Sequence, residues 1–225
     1  MTEIEYLGHS AFAIRDAGKE VLVDPFLTDN PKAPEAASKV RPDLILVTHA
    51  HHDHLGDALE LSKRFGCPVL SVSEINDLLE ENGARVIQGN IGGEVRLPFC
   101  RVKIFSAVHS SSFEDGRYGG TPCSFLIYMG GRTIFHAGDT ALFSDLALVA
   151  DDADIDAALL PVGGTYTMDI KDAKRAARLL RARFMVPMHY DTWPTIAVDR
   201  NELVSIADGE GFTVKVLAPG EHLVL

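Results

Sequence analysis

Four of the nine histidines fall within six residues, in the run Thr48-His49-Ala50-His51-His52-Asp53-His54. Imidazoles are good ligands for borderline divalent metals, and a carboxylate completes such sites. In a tight loop, His49 and His51 can converge on one ion while Asp53 and His54 turn towards a second. Four titratable side chains so close together are poorly explained as a solvated turn. The flanking residues say how they are held. Leu44-Ile-Leu-Val47 reads as a buried strand, and Leu55-Gly-Asp-Ala58 begins a helix. The cluster therefore sits in a strand-to-helix loop, where a rigid scaffold can present chemical groups.

The elements that must position this loop are mostly short and β-like. Strands are expected at 4–6, 12–15, 21–23, 44–47 and 69–71 in the first third, then at 101–107, 124–129, 133–135, 157–160, 185–187 and 213–217. Helical patterns interrupt them at Gly56–Phe65, closed by Gly66, and at Ser73–Glu81, closed by Gly83. The clearest helix is expected over Asp169–Arg183, with Asp169 as N-cap and Ala173, Ala176, Ala177 and Leu180 on one face. Its basic residues read as a solvated face. Hairpins mixed with strand–helix units imply an α+β fold, sheets covered by helices on their outer faces, in one domain over 1–225.

Composition narrows the function classes. The 225 residues carry 21 Lys and Arg against 32 Asp and Glu, a net charge of −11. That excess of acid argues against a general nucleic-acid binder, whose phosphate contacts need a basic face. No apolar run is long enough to span a bilayer, so no membrane partner is expected. The acidic start, Met-Thr-Glu-Ile-Glu-Tyr, lacks the pattern of a signal peptide. Cys67, Cys100 and Cys123 are too few and too scattered for a disulfide framework. A cytoplasmic protein acting on a small molecule is the expectation; oligomeric state is not legible.

The run His49-x-His51-x-Asp53-His54 resembles the signature of the metallo-β-lactamase superfamily. Further positions follow in that superfamily's order: His109 after an expected strand, Asp139 in His136-Ala-Gly-Asp-Thr140, and His189 after Met185-Val-Pro-Met188. The pieces Gly8-His-Ser-Ala-Phe12, Asp24-Pro25-Phe26 and Gly119-Gly-Thr-Pro122 resemble the small metal-dependent hydrolases related to ascorbate-6-phosphate lactonase. The resemblance implies a four-layer αββα sandwich with two divalent metal ions at one end of the sheets. It implies that His49, His51 and His109 hold the first ion, that Asp53, His54 and His189 hold the second, and that Asp139 bridges them. It also implies hydrolysis of a small ester, lactone or phosphodiester by a hydroxide shared between the ions. Zinc is the default for a His-dominated hydrolytic site, with manganese or iron as alternatives.

Asp53, His9 and His136 are the further catalytic candidates. His9 lies in a turn from which it can reach the metal mouth as a proton donor or substrate contact. His136, three residues before Asp139, either hydrogen-bonds a ligand or is a satisfied strand-end histidine. Asp24 either orients a ligand histidine or caps its own turn. Arg117, in a flexible-looking loop, is a candidate anion clamp, and His52 is a non-ligating spacer. Two other functions compete with hydrolysis: a mononuclear iron dioxygenase of the same superfamily, and a non-catalytic metal-binding module.

Overall fold

The structure, a computed structural model, describes residues 1–205 and 211–225. Six strands enter the first sheet in chain order: β1 (Glu3–Tyr6), β2 (Phe12–Asp16), β3 (Lys19–Val23), β4 (Leu44–Leu46), β5 (Pro68–Leu70) and β6 (Arg85–Ile87). The next seven form the second: β7 (Glu94–Arg96), β8 (Cys100–Ser106), β9 (Cys123–Met129), β10 (Arg132–His136), β11 (Ala157–Pro161), β12 (Phe184–Met188) and β13 (Thr213–Val214). The last strand, β14 (His222–Val224), returns to the first sheet beside β1. The orders are β14-β1-β2-β3-β4-β5-β6 and β13-β12-β11-β10-β9-β8-β7.

Each sheet has the same internal plan. In the first, β14, β1, β2 and β3 are joined antiparallel, and β3 to β6 are joined parallel. In the second, β7 to β10 are antiparallel and β10 to β13 parallel. Parallel neighbours need crossovers, and helices fill them. The helices are α1 (His52–Leu55), α2 (Ala58–Phe65), α3 (Ser73–Glu81), α4 (Leu146–Asp152), α5 (Ile170–Leu179) and α6 (Arg200–Ser205). Helices α2 and α3 pack on β5 and β6, while α4 packs on α5 and α5 on β11. Strands β4 and β11 are buried along their whole length, because the other sheet covers one face and helices the other. The result is the expected αββα sandwich.

Two expected helices differ from the observed ones. The segment read as one helix over Gly56–Phe65 starts later, and the second half of the histidine cluster is itself the short helix α1 rather than loop. Gly56 separates α1 from α2 with φ 41° and ψ −127°. The break is held from outside: Asp57 donates its N–H to Pro25 O at 2.8 Å, and its carboxylate accepts from Leu27 N and Thr28 N. Helix α5 has the expected Asp169 cap, whose side chain accepts from Asp172 N, but stops at Leu179 rather than Arg183. There Arg181 takes φ 50° and Ala182 N bonds back to Ala177 O, the pattern that ends a helix on a left-handed residue. Strands β6 and β7 were not expected; each sits at a sheet edge and lacks an unbroken buried run. The expected strand at 213–217 shortens to β13.

A Cβ on Gly56 would lie 2.4 Å from Pro25 O and 2.7 Å from Phe26 Cα. Gly56→Ala is therefore expected to destabilise the fold by about 1–3 kcal/mol, read as a lower urea midpoint at unchanged slope.

Candidate metal centre

The carboxyl ends of strands that run the same way gather the chemical groups. Asp24 follows β3, His49 and His51 follow β4, and His54 lies in α1. In the second sheet, His109 follows β8, Asp139 follows β10 and His189 follows β12. His9 joins them from the β1–β2 turn. Sites at strand carboxyl ends are a general property of sheets with parallel crossovers. Hydrogen bonds stitch the two sheets together around this end: His189 N to His9 O at 2.8 Å, Cys123 N to Thr48 O at 2.9 Å, and Ala50 N to Ser111 Oγ at 3.1 Å.

Asp139 is the centre of the arrangement. Its Oδ2 lies 3.0 Å from His189 Nε2, 3.3 Å from His54 Nε2, 3.5 Å from His109 Nε2 and 3.9 Å from His49 Nε2. Around it, three groups of potential ligand atoms each fall within 4.8 Å of one another: His49 with His51 and His109; His9 with Asp53, His54 and His189; and His49 with His54 and Asp139. All seven residues expected to bind metal are thus brought together, and His9 lies with Asp53, His54 and His189. His54 Nε2, His189 Nδ1 and Asp139 Oδ1 are buried and have no hydrogen-bond partner. A buried polar atom left unpaired costs about 1–3 kcal/mol, and a divalent cation is the partner this donor set fits.

The Nδ1 atoms of His54 and His49 are held by other groups. Asp24, fully buried, accepts from Thr48 N at 2.8 Å, from Thr48 Oγ1 at 2.7 Å and from His54 Nδ1 at 2.7 Å. Thr48 Oγ1 donates its O–H to Asp24, so its lone pair is left to accept from His49 Nδ1 at 3.0 Å. One carboxylate therefore directs the Nε2 atoms of two histidines inward. This decides between the two readings of Asp24 in favour of the orienting role.

His9 departs from its expected place. It is fully buried, with Nε2 3.0 Å from Asp53 Oδ2 and Nδ1 2.7 Å from Thr192 Oγ1, so it lies behind the site rather than at its mouth. Both nitrogens are engaged, and its contact is with Asp53 rather than with substrate. His136 is corrected as well. Its Nε2 donates to Ser10 O and its Nδ1 accepts from Gly138 N, leaving nothing for a ligand or a reacting group. It fixes the turn that carries Asp139. Gly138, at φ 59°, lets that turn pass Thr48, whose Cβ would be 2.8 Å from an added Cβ. Neither Thr48 nor Thr192 is expected in these orienting roles, and Thr192 is 183 residues from the histidine it meets.

Burial sets the charge states, moderated by neighbours. Desolvation pushes His9 down from 6.5 to about 4, against the pull of Asp53, and it holds His49 well below its ordinary value. His54 is also desolvated, but Asp139, Asp24 and Asp53 together raise it well above. Asp139 is driven well below the carboxylate range, its desolvation outweighed by His189 and His54. The cluster is thus two anionic carboxylates among imidazoles, and a cation entering there competes with protons for the same lone pairs.

A cavity of about 410 Å³ opens onto the cluster. His51, Asp53, His109, Asp139 and His189 line its floor; His52, Ser110, Tyr166, Trp193 and Thr195 line the rest. A larger cavity of about 800 Å³, between the turn at Glu35–Lys39 and α2, contains no histidine. Arg117 does not reach the site: its guanidinium pairs with Asp115 at 2.8 Å, and it lines a separate depression with Phe113 and Leu78.

The sequence profile of the β-lactamase superfamily domain matches residues 3–189. A Carboxydothermus hydrogenoformans protein named as a UPF0173 metal-dependent hydrolase is 42% identical over 225 residues, covering 99% of this chain and 100% of the relative. The chain belongs to the UPF0173 family of the β-lactamase superfamily. A second UPF0173 relative, TTHA1283 of Thermus thermophilus, is 46% identical over the full length of both chains. Among solved structures, Igni18, described as a metallo hydrolase from the archaeon Ignicoccus hospitalis, aligns with a TM-score of 0.89 at 38% identity. That alignment covers 99% of this chain and 97% of Igni18. UPF0173 is thus a family of metal-dependent hydrolases in this fold, and the groups around Asp139 are this member's candidate metal-binding residues.

Removing the carboxylate that orients two imidazoles has a measurable consequence. Asp24→Asn is expected to weaken metal binding about 10–100-fold, read by competition with a chromophoric chelator. The pH response of the chelated protein tests the buried imidazole. The folded value of His9 is depressed, so its contribution to stability is complete above pH 6.5 and is lost as pH falls towards about 4. His9→Gln is expected to flatten the slope of unfolding free energy in that window by up to about 1.4 kcal/mol per pH unit.

Proposed function

We propose that this chain is a dinuclear metallohydrolase that cleaves a small ester, lactone or phosphodiester. The observation that carries the reading is the place of Asp139 Oδ2, within 3.9 Å of Nε2 of His49, His54, His109 and His189. His49, His51 and His109 would hold the first ion; Asp53, His54 and His189 would hold the second, with Asp139 common to both. Zinc is the default occupant, and manganese or iron suits the same ligands. When bound, the ions supply Lewis acidity and bring a water's pKa to about 7, so that hydroxide is the nucleophile at neutral pH.

The chain's own residues do the rest. Asp24 and Thr48 keep His54 and His49 in the tautomer whose Nε2 carries the lone pair. His9 holds Asp53 Oδ2 through its Nε2 and is itself fixed by Thr192. Asp53, whose side chain is 14% exposed and whose Oδ2 is held by His9, would offer Oδ1 to a proton passing from water to the leaving group. In this reading the compartment is the cytoplasm, which agrees with three buried free cysteines. No described helix is long and apolar enough to cross a membrane.

Mass-spectrometric metal analysis of protein purified without chelator tests the proposal. About two ions per chain are expected in the wild type, and a sharp loss in Asp139→Ala together with loss of turnover over an ester, lactone and phosphodiester panel. A single ion retained in the mutant, with oxygen consumption and no hydrolysis, would replace this reading by the iron dioxygenase.

A further inference from the structure

The walls of the 410 Å³ cavity differ in kind from its floor. The floor holds the cluster; above it stand two large aromatic side chains and a hydroxyl-bearing rim. Trp193 rests edge-on against His9, with ring centres 5.0 Å apart, and beside Phe26 at 6.4 Å. Phe26 in turn meets His52 at 5.6 Å, so an aromatic row backs one wall. Tyr166 lines the same cavity and is 58% exposed, a large apolar surface left open to solvent at the mouth.

The two loops that carry these rings are tied to each other and to the floor. Thr165 Oγ1 donates to Thr195 O at 2.6 Å, joining the Tyr166 loop to the Trp193 loop. Gly163 passes so close to His189 that an added Cβ would lie 2.4 Å from His189 O. Asp191 accepts from Val198 N and from the Arg200 guanidinium, bracing the Trp193 loop from outside. The two loops are therefore held in place relative to the cluster, and such preorganisation favours binding of a flat group between the side chains they carry.

Charge is the second observation. Among the described residues no Lys or Arg lines this cavity; the carboxylates there are Asp53 and Asp139, which belong to the cluster. Arg117 is paired elsewhere, and the chain as a whole carries −11. An anionic group placed away from the scissile bond would meet an aromatic wall, with no Lys or Arg to receive it.

We propose that Trp193 and Tyr166 form an aromatic clamp that selects an uncharged carboxylic ester or lactone bearing a flat apolar group, and rejects substrates with an anionic group remote from the reacting centre. This rests on the hydrolytic reading above and narrows it. Trp193 and Tyr166 are specificity-determining residues; the scissile carbonyl lies over the floor while the flat group stacks on the rings.

Trp193 is the only tryptophan in the sequence, so its fluorescence reports the clamp directly. The metal-loaded full chain is titrated with acetanilide and with its 4-sulfonate, both poor substrates because of the amide bond. Acetanilide is expected to quench Trp193 saturably, at a concentration about tenfold or more below that of the sulfonate. Kinetics on phenyl acetate, its 4-sulfonate and ethyl acetate give the second readout. The phenyl-to-ethyl ratio of kcat/KM is expected to fall about tenfold in Trp193→Ala and in Tyr166→Ala, and to recover largely in Trp193→Phe. Taking the ratio within each variant removes differences in ester reactivity and in folding yield. Thr195→Lys, which adds a cation to the rim, is expected to narrow the gap between phenyl acetate and its sulfonate. Equal binding and turnover of neutral and sulfonated probes would overturn the proposal, as would a ratio unmoved by both alanine variants. Hydrolysis with an unmoved ratio removes the clamp and keeps the hydrolase; selective quenching without turnover of any ester or lactone keeps the clamp and removes the hydrolase.

Discussion

A buried carboxylate surrounded by imidazoles is the constraint on which the rest of this structure depends. Asp139 is 2% exposed, and its Oδ2 faces four histidines drawn from both sheets. Desolvating such a charge is tolerable only where opposite charge or donors surround it, and unpaired burial would be strongly destabilising. The backbone around it is arranged accordingly. Gly138 lets the turn approach Thr48, His136 pins that turn through Gly138 N, and Cys123 N bonds to Thr48 O across the sheets. The αββα sandwich can be understood as the means of bringing two strand-end clusters to one carboxylate.

The repeated plan of the two sheets explains why the groups meet at a single end. Three antiparallel joins followed by three parallel ones give each sheet a set of carboxyl termini pointing the same way. Those of β3 and β4 supply Asp24, His49 and His51; those of β8, β10 and β12 supply His109, Asp139 and His189. Each half contributes both imidazole and carboxylate, so neither sheet alone holds a complete group. The hydrogen bonds from His189 N to His9 O and from Ala50 N to Ser111 Oγ then fix the two halves against each other at the point where accuracy matters.

Beyond the cluster, a small set of outer contacts gives each side chain one role. Asp24 orients His54 directly and His49 through Thr48, while Thr192 and His9 do the same for Asp53. These contacts decide tautomers, which the ligand residues cannot set for themselves. The loops that carry the aromatic side chains at the cavity mouth are tied to each other by different means, Thr165 Oγ1 donating to Thr195 O. Chemistry and selection are thereby separated: polar groups from strand ends build the floor, and apolar groups from loops build the walls.

The metal-binding candidates were legible in the sequence to the extent that their neighbours in space are neighbours in the chain. His49, His51, Asp53 and His54 stand in one short run, and the strand before it is an unbroken apolar segment. His109, Asp139 and His189 came only through their order along the chain, which a resemblance could supply and spacing could not. The αββα architecture followed from the same resemblance and from the alternation of strands and helices. Edge strands such as β7 escaped because an element with exposed faces carries no long hydrophobic run. The roles of His9, Asp24 and His136 were decided by tertiary structure alone. Each has a turn or strand-end sequence that fits several uses, and the partner that settles its role lies 183 residues away for His9 and 126 for His136. A hydrogen bond is a short-range contact and leaves no mark on sequence separation, so residue types fixed what chemistry was available and the fold fixed which atom of each residue performs it.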